Sequence, residues 1–166
     1  MQAAKAATHK ASERQITGVS QMHPFPHSYP VSATANFDSN VRLAAPGVAA
    51  IESAGPVEFG GPGDLWSPES LLVASVADCF VLSFRAIARA SRFEWQDLEC
   101  SVTGILDRID KVSQFTEFKV NAKLTVGAGT DITKAEKLLH KAEHSCLITN
   151  SLKATSHLDL EVLLSD

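Results

Sequence analysis

The stretch that most constrains this chain is Ser67 to Arg92, SPESLLVASVADCFVLSFRAIARASR. Ser67 can cap a helix and Pro68 suits its first position. Glu69 places a negative charge where the helix dipole favours one. After Pro68 no proline or glycine follows until Gly104. Apolar residues continue almost all the way round, and only Asp78, Arg85, Arg89 and Arg92 form a charged stripe. A helix of this kind must be covered on most of its sides. The run Leu71 to Phe84 is too short for a bilayer and Asp78 interrupts it, so a packed core helix is expected, not a membrane span. Cys79 sits mid-helix on a face shared with the small residues Ser75, Ser83, Ala86 and Ala90. Small residues let another backbone approach closely. A sheet can cover one side of this helix, and a second copy of the same helix is the simplest cover for the other.

The chain has 166 residues, enough for one domain with a real core. Its formal net charge is −4 and it has no basic cluster, which argues against nucleic acid as a partner. The start lacks a signal-peptide core, so the expected compartment is the cytoplasm. Three cysteines in a chain of this size do not make a disulfide framework.

Residues 1–21 read as a poorly ordered polar tail, and residues 22–166 as a single domain. Tyr29, Val31, Ala33, Ala35 and Phe37 alternate with polar residues or proline, as in a half-buried strand. Asp38-Ser39-Asn40 is a turn and Val41-Arg42-Leu43 starts a hairpin partner. A short strand near Val57-Glu58-Phe59 and a glycine-rich loop then lead into the helix. Beyond it, Leu98, Cys100 and Val102 mark a strand, and Asp107 to Ser113 a polar turn. Phe118, Val120, Ala122, Leu124 and Val126 mark the cleanest strand. Thr130 or Asp131 caps a second amphipathic helix ending near Cys146. Leu158, Leu160, Val162 and Leu164 form a last strand. This order predicts an α+β fold with helices on an antiparallel or mixed sheet.

Cys79 and Cys146 are the candidates for chemistry. In a cysteine peroxidase one thiolate attacks the peroxide and becomes a sulfenic acid, and a second thiol condenses with it. The attacking thiol generally needs a cation beside it. Cys is also among the most buried residue types and often only fills space, so from the residues alone packing is the stronger reading of both thiols. Cys100 falls on the inward face of a strand and reads as a packed thiol. His140 and His144 stand four apart, a spacing that can hold zinc, but no third ligand lies near and HKAEH reads as a solvated face. No metal and no cofactor is expected.

Three segments are similar to the OsmC/Ohr family of osmotically inducible protein C and organic hydroperoxide resistance proteins. They are Ser67-Pro68-Glu69-Ser70-Leu71-Leu72, Ala77-Asp78-Cys79-Phe80 and Ala142-Glu143-His144-Ser145-Cys146-Leu147. The ten-residue step from Glu69 to Cys79 and the Phe59-Gly60-Gly61-Pro62-Gly63 approach match as well. The resemblance runs from about Tyr29 to the C-terminus.

It implies an intertwined homodimer that reduces organic hydroperoxides with thiols alone, re-reduced by a dithiol of the lipoyl type. Cys79 would be the peroxidatic thiol, Cys146 the resolving thiol, and Glu69 the carboxylate holding an activating arginine. Arg42 is the only arginine between Arg14 and Arg85 and so the candidate for that role. Three departures stand out: the glycine-rich loop around the arginine is absent, Asp78 precedes the first cysteine, and Leu147 follows the second where proline is common.

Ten residues of helix separate Glu69 from Cys79 by about 15 Å. If Glu69 serves a Cys79, it serves the other subunit's, giving a site of Cys79 and Cys146 from one chain with Glu69 and Arg42 from its partner. The alternative is an OsmC-like stress or ligand-binding protein with unreactive cysteines.

Overall fold

The computed structural model describes residues 23–165; the polar segment 1–21 lies outside them. Three short strands come first: β1 (Ser32–Thr34), β2 (Val41–Ala44) and β3 (Ile51–Ser53). They form an antiparallel sheet in sequence order. A second sheet holds β4 (Asp97–Ile109), β5 (Val112–Val126) and β6 (Thr155–Leu164). Here β4 pairs antiparallel with β5, and β6 pairs parallel with β5. The sheet is therefore mixed, as expected. Helix α1 (Pro68–Ala90) links the two sheets, and α2 (Ile132–His144) crosses from β5 to β6.

The helix ends follow from local chemistry. Ser67 accepts from the Ser70 amide at 3.1 Å, and Ser70 Oγ accepts in return from the Ser67 amide at 2.8 Å. This reciprocal box satisfies two of the amide donors left open at a helix start. Asp131, one of the two residues expected to cap α2, accepts from the Lys134 amide at 3.0 Å.

The core lies between α1, α2 and the second sheet. Val76, Phe80, Phe84 and Ala88, spaced four apart on α1, are all but fully buried. Phe118, Val120, Ala122, Leu124 and Val126 of β5 face them, with Ala135, Leu138, Leu139 and Ala142 of α2. Each large side chain so buried is worth about 1.5–3 kcal/mol of transfer free energy. Gly104 on β4 lets α1 come close, since a Cβ there would stand 2.8 Å from Val73 Cγ2. The charged stripe of Asp78, Arg85, Arg89 and Arg92 faces solvent.

Three local expectations need correcting. Val57–Phe59 is a 3-10 turn, not a strand, because the Pro56 carbonyl captures the Phe59 and Gly61 amides at 3.0 and 2.9 Å. Asp107 to Ser113 is mostly strand: only Asp110 and Lys111 turn, both with left-handed backbone (φ 49° and 67°), as a two-residue hairpin requires. The first strand is shorter than its alternation suggests. Pro30 offers no amide, and at the other end Asn36 donates to Ser39 Oγ at 2.7 Å to close a turn.

Candidate active site

Cys79 projects from the middle of α1, next to Phe80 on the buried face, and is half-buried. Cys146 follows α2 by two residues and is 1% exposed. The Cys146 amide donates to the Glu143 carbonyl at 3.1 Å, and its own carbonyl accepts from the Asn150 amide at 3.1 Å. The chain thereby folds back at the end of α2 and carries the thiol inward. Cys79 and Cys146, far apart in sequence, are neighbours in the fold and both are free thiols.

Burial pushes the Cys146 thiol up from its ordinary range. The polar groups of Thr149 beside it oppose this, while neighbouring Cys79 raises it further. Cys100, on β4, is pushed up to about 11, first by burial and then by the nearness of Cys146. Cys100 is thus a packed thiol, yet one in the neighbourhood of Cys146. A small cavity beside Cys146 is bordered by Val76, Phe80, Val120, Glu143, Thr149 and Ser156.

Glu69 sits in the first turn of α1. Its Oε2 is buried and has no hydrogen-bond partner among the described residues. The carboxylate borders a largely apolar cleft of about 520 Å³ whose walls include Val41, Leu43, Pro56, Phe59 and Leu71. Helix α1 runs unbroken from Glu69 to Cys79, so the separation expected from the sequence stands.

Arg42 lies between Val41 and Leu43 on β2. Those two line the cleft, so Arg42 leaves from the opposite face of the strand. Its guanidinium pairs with Glu52 at 3.4 Å, both side chains largely exposed. Within one chain the structure joins the two cysteines but brings Arg42 to neither Glu69 nor Cys79. His140 Nδ1 approaches Glu143 at 3.9 Å, and no group of three or more metal-binding side chains exists among the described residues.

Thr149 and Ser156 are neighbours of Cys146 that motif reading passes over. The one available signal is Ser156, a polar residue in phase with Leu158, Leu160 and Val162 on the inward face of β6.

The sequence model of the family "OsmC-like protein" matches residues 61–161. Over 111 residues the chain is 31% identical to the uncharacterized protein YmaD of Bacillus subtilis, covering 64% of this chain and 73% of that one. An OsmC-like protein of unknown function from Vibrio cholerae superposes with a TM-score of 0.74 at 19% identity, over 82% of this chain and 100% of that one. An organic hydroperoxide resistance protein from Elizabethkingia anophelis does so with a TM-score of 0.69 at 20% identity, over 86% and 100%. With the match spanning α1, both thiols and all but the end of the second sheet, the chain belongs to the OsmC-like protein family.

Proposed function

We propose that this protein is a thiol peroxidase that reduces organic hydroperoxides to alcohols. The observation that carries the reading is the meeting of two free thiols from distant helices, one half-exposed and one buried. The Cys79 thiolate attacks the terminal oxygen of the hydroperoxide, the O–O bond breaks, and the alkoxide leaves with a proton as the alcohol. Cys79 is left as a sulfenic acid. The Cys146 sulfur displaces its hydroxyl, water departs, and a Cys79–Cys146 disulfide remains. A dithiol of the lipoyl type supplies the two electrons that restore both thiols. The hydroperoxide resistance protein from Elizabethkingia anophelis, alike in fold, supports this substrate class.

The working unit in this reading is a cytoplasmic homodimer. Only 22% of the most apolar 18-residue stretch of α1 is buried within one chain. Leu82, Trp66 and Phe59 are 49%, 50% and 65% exposed. A second copy covers these surfaces and brings its Glu69 and Arg42 to the Cys79 of the first. Glu69 has a buried oxygen in want of a donor, and an exposed pair such as Arg42–Glu52 holds its cation weakly. The apolar cleft beside Glu69 suits a hydroperoxide with an apolar tail, whereas hydrogen peroxide gains nothing from such walls.

The test is steady-state consumption of cumene hydroperoxide with a dithiol reductant, against hydrogen peroxide at equal concentration. Faster turnover of the organic substrate is expected. The burial that raises the Cys146 and Cys100 thiols favours one other reading, a binding protein with inert cysteines and an apolar ligand in the cleft. Absence of turnover with either peroxide would decide for it.

A further inference from the structure

Cys79 and Cys146 differ in a way that bears on the return half of the cycle. Cys79 is half-buried, but Cys146 is 1% exposed. Within one chain the first sulfur is open to an external thiol and the second is not. In a thiol–disulfide exchange the sulfur that is not attacked must leave, and it leaves faster the better its negative charge is held.

Burial alone makes Cys146 a poor leaving sulfur, and the polar groups beside it are placed to offset that. Thr149, in the turn after α2, borders the small cavity beside the Cys146 thiol. Its hydroxyl lies 3.1 Å from the Cys146 carbonyl, to which it donates. It has one proton, and a thiolate, being charged, is the stronger acceptor and draws that proton to itself. Ser156 of β6 borders the same cavity as Cys146 and Thr149. Its Oγ is buried and has no hydrogen-bond partner among the described residues. A buried hydroxyl without a partner is costly, and native proteins seldom keep one without reason. A thiolate formed at Cys146 gives it an acceptor.

We propose that Thr149 and Ser156 form a thiolate-holding pocket that makes Cys146 the leaving sulfur, so that a dithiol reductant attacks Cys79. The inference rests on the thiol-peroxidase reading for its place in the cycle. One thiolate of the reductant attacks Cys79 Sγ, forming a mixed disulfide as the Cys79–Cys146 bond breaks. Cys146 departs as a thiolate, held by the Thr149 amide and hydroxyl and the Ser156 hydroxyl, and then takes up a proton. The reductant's second thiol attacks its own bound sulfur and releases Cys79. Two electrons have passed from the dithiol, now a disulfide, to the protein. Thr149 and Ser156 are positioning residues, acting through Cys146 and touching no peroxide.

The test begins from disulfide made with diamide, so it does not depend on peroxide turnover. A brief pulse of a monothiol is stopped with acid, the chain is unfolded and labelled with N-ethylmaleimide, and peptide mapping locates each label. The monothiol is expected on Cys79 and the maleimide on Cys146. Thr149→Val and Ser156→Ala should each slow reduction of the disulfide, Thr149→Val by roughly tenfold, because a hydrogen bond to a charged sulfur is lost. Thr149→Ser should restore the rate. In a Cys79→Ser background, Thr149→Val should also move the ultraviolet absorbance of the Cys146 thiolate to higher pH. The groups facing that thiol are then Cys100 from β4 and Glu143 from α2. A monothiol on Cys146, failure of diamide to join the two cysteines, or wild-type reduction rates in both variants would overturn the proposal. Loss of peroxide turnover alone would defeat the peroxidase reading and leave the direction of exchange standing.

Discussion

Residues 32–66 and residues 97–164 are both built from paired strands, with opposite results. In the second region the strands are long, α1 and α2 lie on one face, and Phe118, Leu124 and Leu139 are all but sealed from water. In the first the strands have three or four residues, and Phe37, Phe59 and Trp66 stay half or fully exposed. No buried apolar residue among those described comes from β1, β2 or β3. Helix α1 joins the two and shares the contrast, with Val76, Phe80, Phe84 and Ala88 buried on one side and Leu82, Ala86 and Ala90 exposed on another. One region closes its own core. The other presents apolar surface and, with the first turn of α1, walls a cleft beside the unpaired Glu69 oxygen, the arrangement on which the proposed composite site rests.

The largest effect should come from setting the two faces of α1 against each other. Phe84→Ala removes a fully buried ring and should cost about 3–5 kcal/mol at any protein concentration. Ala86→Trp, two residues on, should leave each chain folded but overpack the contact between copies. Its signature is a shift to monomer in sedimentation velocity and a Tm that depends more strongly on concentration. A wild-type chain that sediments as a stable folded monomer at micromolar concentration would break the comparison.

A mixed dimer sharpens it further. Pairing a Cys79→Ser chain with a Glu69→Ala chain puts both defects into one composite site and leaves the other intact. About half the wild-type turnover should survive, since a two-fold dimer has two sites. If each chain builds its own site, both sites are damaged and activity disappears.

Much of this division is legible in the sequence. Ser67-Pro68-Glu69 marks the start of α1 because capping is local chemistry. The alternation from Phe118 to Val126 marks β5 because one face is sealed and the other wet. The two cysteines stand out through the segments around them. Other features depend on what the chain meets after it folds. Asp110 and Lys111 make a tight hairpin without glycine, so the polar run from Asp107 to Ser113 marks a turn but not that it takes only two residues. Val57-Glu58-Phe59 has the alternation of a strand, but the Pro56 carbonyl bends it into a 3-10 turn. Arg42 is the right residue type in the right region, yet the pleat of β2 turns it away from the cleft that Val41 and Leu43 line. Thr149 and Ser156 meet only because the chain reverses after α2 and β6 lies beside β5.

A smaller effect is expected from Arg42→Ala. It should slow peroxide consumption while leaving Tm nearly unchanged, because the exposed pair with Glu52 adds little to stability. Turnover equal to wild type would remove Arg42 from the composite site.

The smallest effect belongs to Cys100. Its thiol is raised from 9.0 in the unfolded chain to about 11, so the folded state keeps a proton that the unfolded state gives up. Stability from this group is present below pH 9 and falls as pH rises toward 11. Cys100→Ser should flatten that alkaline decline in denaturant titrations and leave peroxide turnover as it was. An unchanged decline would assign it to other groups.

The central claim is that Cys79 and Cys146 act as one redox pair, and mass spectrometry tests it most directly. The reduced protein receives one equivalent of an organic hydroperoxide without reductant, and intact mass and peptide mapping follow. The expected product is a chain lighter by about two mass units, from the two hydrogens lost on oxidation, with Cys79 joined to Cys146 and Cys100 free. In Cys146→Ser the same treatment should leave a sulfenic acid on Cys79 that over-oxidises with excess peroxide. Unmodified thiols, or a disulfide that includes Cys100 in place of Cys79, would contradict the account.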